Sequence, residues 1–221
     1  MSAAAQQHTV VHDYFPSQSS SPEVLADIYQ PDCNIAIWQR QLPDDFLNAL
    51  SWDIQQHPIH NVSLQISAST IEQDIAGIAS DRPYGAELRK YLAQTIDMFC
   101  VLFDTPKAGL RLSTLNSAMC PRFHVDKVPC RLVTSFCGPG TQWLAHDSVD
   151  RSKLGHGSEG KPDHASGLFT HTNQIQHLAC GDVALLKGET WEGNEGAGLV
   201  HRSPMLNSGE VRLLLTLDLV Y

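Results

Sequence analysis

The sequence holds no apolar run near the ~20 residues that a membrane-crossing helix requires, so no helical membrane span is expected. Basic residues are scarce: 15 Lys and Arg stand against 24 Asp and Glu, for a formal net charge of −9. Phosphate backbones are bound by clustered Lys and Arg, so a nucleic-acid partner is not expected. None of the six cysteines, Cys33, Cys100, Cys120, Cys130, Cys137 and Cys180, forms a Cys-x-x-Cys pair. The usual signature of a zinc knuckle is therefore missing. Met1 to Gln7 carry neither a basic n-region nor an apolar h-region, so no secretory signal is read. A cytoplasmic location with free, mostly buried thiols is the expectation. No internal repeat of fixed period is visible.

What is present reads as globular: 42% of the 221 residues are hydrophobic and 18% charged. Residues 1–21, ending in a Ser-rich run, show little apolar periodicity and are read as a flexible tail, with His8 and His12 solvated. Residues 22–108 are read as a helical N-terminal part with short strands. Asn34 to Gln39 and Val62 to Ile66 alternate as strands do. Leu42-Pro43-Asp44-Asp45 opens a helix with Pro and acids suited to a first turn, and Phe46, Leu47, Leu50 and Ile54 follow at helical spacing until His57-Pro58. Ser69 or Thr70 is placed to cap a second helix. Tyr84 to Phe103 is the strongest helix, with Leu88, Leu92, Ile96 and Phe99 in one apolar stripe.

From Gly109 the pattern changes to short apolar or alternating segments separated by Gly and Pro. They are 110–115, 123–126, 131–137, 142–145, 175–178, 182–187, 199–201 and 211–220. Many short strands with turn signals between them predict a β-sandwich or barrel over 109–221, packed with the helical part as an α+β unit. Between Asp147 and Asn173 lies a polar, Gly-containing segment with His156, His164 and His171. Connections of this length in compact domains are commonly functional, and a lid over the site is the reading. A second metal site from those His residues has no recognisable spacing.

The chemistry centres on Pro121-Arg122-Phe123-His124-Val125-Asp126. On an extended segment, side chains at i and i+2 share a face, so His124 and Asp126 can reach one metal ion. His201 follows far downstream in Leu199-Val200-His201-Arg202-Ser203-Pro204. Two His and one carboxylate in that order suit a facial triad, which leaves positions open on iron(II). The bland alternative for all three is structural hydrogen bonding or surface display. Cys120 and Cys130 bracket the motif as possible additional thiol ligands, and thiolates favour zinc.

The order of these motifs resembles the 2-oxoglutarate and iron(II)-dependent dioxygenases, in particular the prolyl-hydroxylase-like branch. The matching pieces are His124-Val125-Asp126, the strand 131–137 with its Gly138-Pro139-Gly140 turn, Cys180-Gly181-Asp182 leading into a strand, His201, and a basic residue, Arg212, shortly after it. The resemblance implies a double-stranded β-helix of the jelly-roll or cupin-like kind, with the helical part packed on it. It implies iron(II) held by His124, Asp126 and His201, and 2-oxoglutarate held through its far carboxylate by Arg212, helped by Thr216 or Ser203. The reaction implied is hydroxylation of a small molecule or a protein side chain. The run 120–132 also resembles a bacterial family whose members are often encoded near zinc-handling GTPase chaperones, which implies a link to zinc homeostasis and a metal chaperone as partner.

Arg212 supports this independently. The strand Val211 to Val220 is apolar on both faces, so it is expected to be buried on both. A guanidinium there is costly unless an anion answers it. The alternatives are a salt bridge, for example to Glu210, or an edge position in water; Arg111 and Arg131 also sit on strands and could be the anchor. Two other functions stay open: a zinc-binding protein without redox catalysis, and a metal-dependent hydrolase or isomerase on a cupin-like barrel.

Overall fold

The computed structural model of the chain describes residues 14–220. The architecture is mixed α+β, with one large sheet, one small sheet and a few helices. In chain order the elements are β1 (Ser17–Ser19), a 3₁₀ segment (Pro22–Tyr29), β2 (Ile35–Trp38), α1 (Asp44–Ile54), β3 (Val62–Ser67), α2 (Ile71–Ile75), α3 (Gly85–Leu102), β4 (Lys107–Leu115), β5 (Cys130–Cys137), β6 (Gln142–Leu144), α4 (Asp163–Ser166), β7 (Ile175–His177), β8 (Val183–Lys187), β9 (Val200–Arg202) and β10 (Arg212–Leu219), with further 3₁₀ turns between β6 and β7. The large sheet runs β1-β2-β8-β5-β10-β4-β3 and the small one β7-β6-β9. No described helix is long and apolar enough to cross a membrane.

The alternation of β10 decides the layering. Leu213, Leu215 and Leu217 are fully buried in one cluster with Leu110, Leu112, Leu132 and Phe136 of neighbouring strands, and with Leu50 and Ile54 of α1 and Leu88, Leu92, Ile96 and Phe99 of α3. That face of the large sheet carries the helices, and the stripes expected on α1 and α3 are what it buries. Successive strand residues point to opposite faces, so Arg212, Leu214, Thr216 and Asp218 lie on the other face. There Ile35, Ile37, Val133, Ala184 and Leu186 of the large sheet pack against Trp143 and Leu199 from the small-sheet side. The space between the sheets is where the polar residues of interest meet. The N-terminal helices lie on the far side of the large sheet and contribute only through the strands they support.

Three expectations change. Ser17–Ser19, inside the stretch read as a tail, pairs in parallel with Ala36–Trp38. Residues 1–13, with His8 and His12, lie outside the described residues. Phe123–Asp126 is not a strand; only His124 makes a ladder bridge, to His201. Its neighbour Phe123 gives its N–H to the Asp163 carboxylate at 3.0 Å instead, which stops the ladder after one residue. Finally, 147–173 is not an open connection. It forms short helical turns, and Leu168 and Phe169 insert into a cluster with Phe123, Leu144 and Val200. Leu144 and Val200 are cross-strand partners, one residue along from the pair Trp143 and His201, so they face the other way. The segment therefore backs the outer face of the small sheet and does not close over its inner face.

Candidate metal centre

His124, Asp126 and His201 come together: one ligand atom of each lies within 4.8 Å of the others, the one such cluster of His, Cys, Asp and Glu found among the described residues. The backbone fixes the pair of imidazoles. His124 N–H donates to His201 C=O and His201 N–H to His124 C=O, both at 3.0 Å, and directly opposed residues place their side chains on one face. Each ring is then turned by its own chain: His124 Nδ1 donates to Arg122 C=O at 2.9 Å and His201 Nδ1 to Leu199 C=O at 3.1 Å. A backbone bond at Nδ1 selects the tautomer that leaves Nε2 as the free lone pair. Both Nε2 atoms face Asp126, at 3.6 Å from Oδ1 for His124 and 3.5 Å from Oδ2 for His201.

Asp126 is held by close backbone packing and by a second acid-base pair. Its carbonyl accepts from Glu189 N–H at 2.9 Å. The loop after it presses on Gly188, where a Cβ would stand 1.9 Å from Val128 O; no other residue fits there. Arg131 Nη1 donates to Asp126 Oδ2 at 2.6 Å, while its Nε and Nη2 grip both oxygens of Asp218 at 2.7 and 3.1 Å. Burial alone would raise the Asp126 carboxyl, but the bonds from His124 and His201 and the Arg131 charge outweigh it and hold the group far below the usual carboxylate range. The hydrogen bond to Asp126 in turn raises the His124 imidazole above its ordinary value, against the opposing effect of burial. Two neutral nitrogens and one carboxylate oxygen on a shared face are a donor set suited to iron(II) or zinc.

The cysteines do not join them. Cys130 is fully buried in the cluster on the helix side of β5, across the sheet from Arg131, and Cys120 is exposed; neither belongs to the ligand cluster. His156, His164 and His171 do not belong to it either. The reason is strand parity for Cys130 and the outward packing of 147–173 for the histidines.

Arg212 is 1% exposed. Its hydroxyl partners are Ser135, at 2.9 Å from Nε, and Thr141, at 2.7 Å from Nη2; Thr216 and Ser203, expected beside it at the 2-oxoglutarate carboxylate, are not among its described partners. Thr216 lies four residues along the strand, roughly 13 Å at the strand rise, too far to share one carboxylate group. Ser203 gives its backbone N–H to Cys120 C=O at 2.9 Å, just past the end of β9. No described carboxylate forms an ion pair with Arg212, and burial pushes its pKa down to about 10. Thr141 lies two residues before Trp143, whose cross-strand partner is His201, so β6 links the guanidinium to the metal cluster. Trp143 is itself buried, and its indole N–H has no acceptor among the described residues.

The residues that sequence reasoning missed are supports. Asp218 could be read from its place on the Arg212 face of β10. Asp163 carries no local signal: its Oδ2 accepts from Phe123 N–H and from Arg202 Nη1, each at 3.0 Å, so one buried acid ties together the residues flanking both imidazoles. Asp163→Ala leaves buried donors unmet, at a cost of about 1–3 kcal/mol. The expected result is faster proteolysis within 147–173 and roughly tenfold weaker metal binding, as for losses in the outer shell of metal sites. Cleavage rate and metal affinity both at the wild-type level would show that Asp163 does not brace the imidazoles.

Comparison with known proteins gives three findings. No curated protein matches the chain. Among solved structures, it is similar to the dioxygenase for auxin oxidation of rice (13% identity over 81% of this chain and 64% of that one, TM-score 0.40). It is also similar to a Pseudomonas putida prolyl-4-hydroxylase (13% identity, 88% of this chain and 95% of that one, TM-score 0.41), and to dioxygenase for auxin oxidation 1 of Arabidopsis thaliana in its 2-oxoglutarate complex (8% identity, 73% of this chain and 63% of that one, TM-score 0.41). The chain thus spans less than two thirds of the two plant enzymes, and similarity of this size decides nothing about the reaction. A family model matches residues 19–218, nearly all of the described chain, and the protein belongs to that family, described as protein of unknown function (DUF1826).

Proposed function

We propose that the protein is a metal-dependent oxygenase that uses iron(II) and 2-oxoglutarate to hydroxylate a substrate C–H bond. His124, Asp126 and His201 hold the metal, and Arg212 binds the far carboxylate of 2-oxoglutarate. The two sheets are then the walls of a double-stranded β-helix; the chain's passage from large to small sheet and back, through β5, β6, β7, β8, β9 and β10, supports that reading. Bound iron(II) with 2-oxoglutarate supplies the oxidising chemistry, and the chain supplies placement and exclusion of water.

The observation that carries the reading is the state of Arg212. A guanidinium buried between two sheets with only hydroxyl partners is costly, and a two-pronged carboxylate is the ligand its shape fits. The Trp143 N–H, a buried donor without an acceptor among the described residues, sits on β6 two residues after Thr141 and opposite His201. An unmet buried donor costs about 1–3 kcal/mol. A dicarboxylate reaching from Arg212 toward the metal offers oxygens to both.

The test is anaerobic titration of 2-oxoglutarate into iron(II)-loaded protein, followed by the absorbance of the iron complex. Saturable binding with a new absorption band is the expected result, and oxygen-dependent consumption of 2-oxoglutarate should accompany it. Tight zinc retention with no 2-oxoglutarate binding would overturn the proposal in favour of a zinc protein without redox chemistry.

A further inference from the structure

The inner face of the large sheet extends past the small sheet, over β10, β4 and β3. Register places its side chains in cross-strand rows. Ser63, Arg111, Thr216 and Val133 form one row, and Ser113 and Leu214 lie in the next. Asp218 and Arg131 form the row on the other side, opposite Gly109, which has no side chain to fill the space. Over these rows lies a cavity of about 280 Å³, lined among others by Val62, Arg111, Met119, Arg131, Leu214 and Thr216. Arg131 belongs both to this lining and to the metal cluster, through its 2.6 Å bond to Asp126. A second cavity, of about 520 Å³, is lined by His124 together with residues of 153–168 and Phe123, whose side chain packs on the outer face of the small sheet. The first cavity meets the metal cluster through Arg131, which bonds Asp126.

Its charge is unbalanced. Arg111 has a side chain 65% exposed and reaches Asp218 at 3.6 Å, yet Asp218 is already gripped at both oxygens by Arg131. Once Asp126 is committed to a metal, Asp218 alone answers two guanidinium groups. Hydroxyls from Ser63, Ser113 and Thr216 stand beside Arg111, and Leu214 and Met119 supply apolar wall. A volume near 280 Å³ is at the small end of small-molecule sites.

We propose that this cavity binds the substrate, and that the substrate is a small molecule with a carboxylate held by Arg111 and an apolar body packed on Leu214 and Met119. Only the word substrate rests on the oxygenase reading; the carboxylate site stands on the cavity and its charges. Arg111 is thus assigned to the substrate, and Arg212 to the cosubstrate.

The metal-free 221-residue chain, labelled with ¹³C-methyl methionine, provides the test. It has four methionines, and Met119→Leu identifies the signal from the cavity wall. The probes are 4-methylpentanoate and phenylacetate, each paired with its neutral amide. The acids should shift the Met119 methyl, with the amides at least about tenfold weaker, and Arg111→Gln should weaken acid binding by at least about tenfold, the loss expected for a bond to a charged group. Arg111→Lys should restore part of it. Iron(II)-loaded Arg111→Gln should bind 2-oxoglutarate as the wild type does. Equal binding of acids and amides, or no Met119 shift with either acid, overturns the proposal. Loss of 2-oxoglutarate binding in Arg111→Gln overturns it too, by making Arg111 the cosubstrate anchor. A wild type that binds the acids but not 2-oxoglutarate removes the oxygenase reading and keeps the carboxylate site.

Discussion

Alanine at Asp126 is expected to abolish stoichiometric metal binding, and alanine at His124 or His201 to do nearly the same. Each supplies one of three donors, and even outer-shell partners of metal ligands are worth 10–100-fold in affinity, so a loss on the order of 100-fold or more is expected. The fold should survive in all three. The bridge between 124 and 201 is made by backbone N–H and C=O groups at 3.0 Å, which alanine keeps, and Arg131 stays forked on Asp218 when Asp126 is gone. Metal per chain after anaerobic iron(II) loading, with thermal unfolding as control, makes the measurement. Wild-type stoichiometry in all three variants would refute the triad.

Acid should strip the same site. A metal takes the imidazole lone pair and so competes with a proton. The Asp126 hydrogen bond raises the His124 pKa above its ordinary 6.5. Proton competition therefore begins on the high side of pH 6.5, and metal occupancy should fall as the pH drops through that region.

Removing the Arg212 guanidinium should separate function from stability. Arg212→Ala is expected to keep the metal and to weaken 2-oxoglutarate binding by ~2–5 kcal/mol, the range for truncating one partner of a buried charged pair, or tens- to thousands-fold in affinity. Arg212→Lys keeps a point charge but not the fork, and should recover part of the loss. Arg212→Met should do the opposite to the ligand-free fold. Here the charge is buried with Ser135 and Thr141 as its partners and no described acid, and apolar replacement of buried ions stabilises by about 1–4 kcal/mol in favourable cases. A higher melting temperature together with lost 2-oxoglutarate binding is thus the expected pair of results for Met. Undiminished 2-oxoglutarate binding in Arg212→Ala would move the anchor to Arg131 or Arg111.

Much of this was legible in the chain. Periodicity located α1, α3 and most strands within a residue or two, because an apolar stripe at spacing 3.6 or 2 is a local record of which face is buried. The His-x-Asp and distal His were visible as candidates by residue type and order, and Arg212 was visible as a charge that a doubly buried strand would not carry without reason. The order of Ser63, Arg111 and Thr216 was not visible, since register joins residues 48 and 105 positions apart and no local pattern encodes it.

The sequence alone determined the alternation of β10, and with it that Arg212, Thr216 and Asp218 share a face. Tertiary structure decided what that face meets. It put Ser135 and Thr141 on Arg212, moved Thr216 to a different cavity, paired Asp218 with Arg131, and turned Cys130 into the helix-side core, away from the cluster of His124, Asp126 and His201. It also set 147–173 behind the small sheet, because Leu168 and Phe169 find apolar partners there and the inner face is already packed against the large sheet. The physical reason is the same throughout: a side chain's face is fixed by its own strand, whereas its partner is fixed by strand order and by the distance between sheets, which depend on the whole chain.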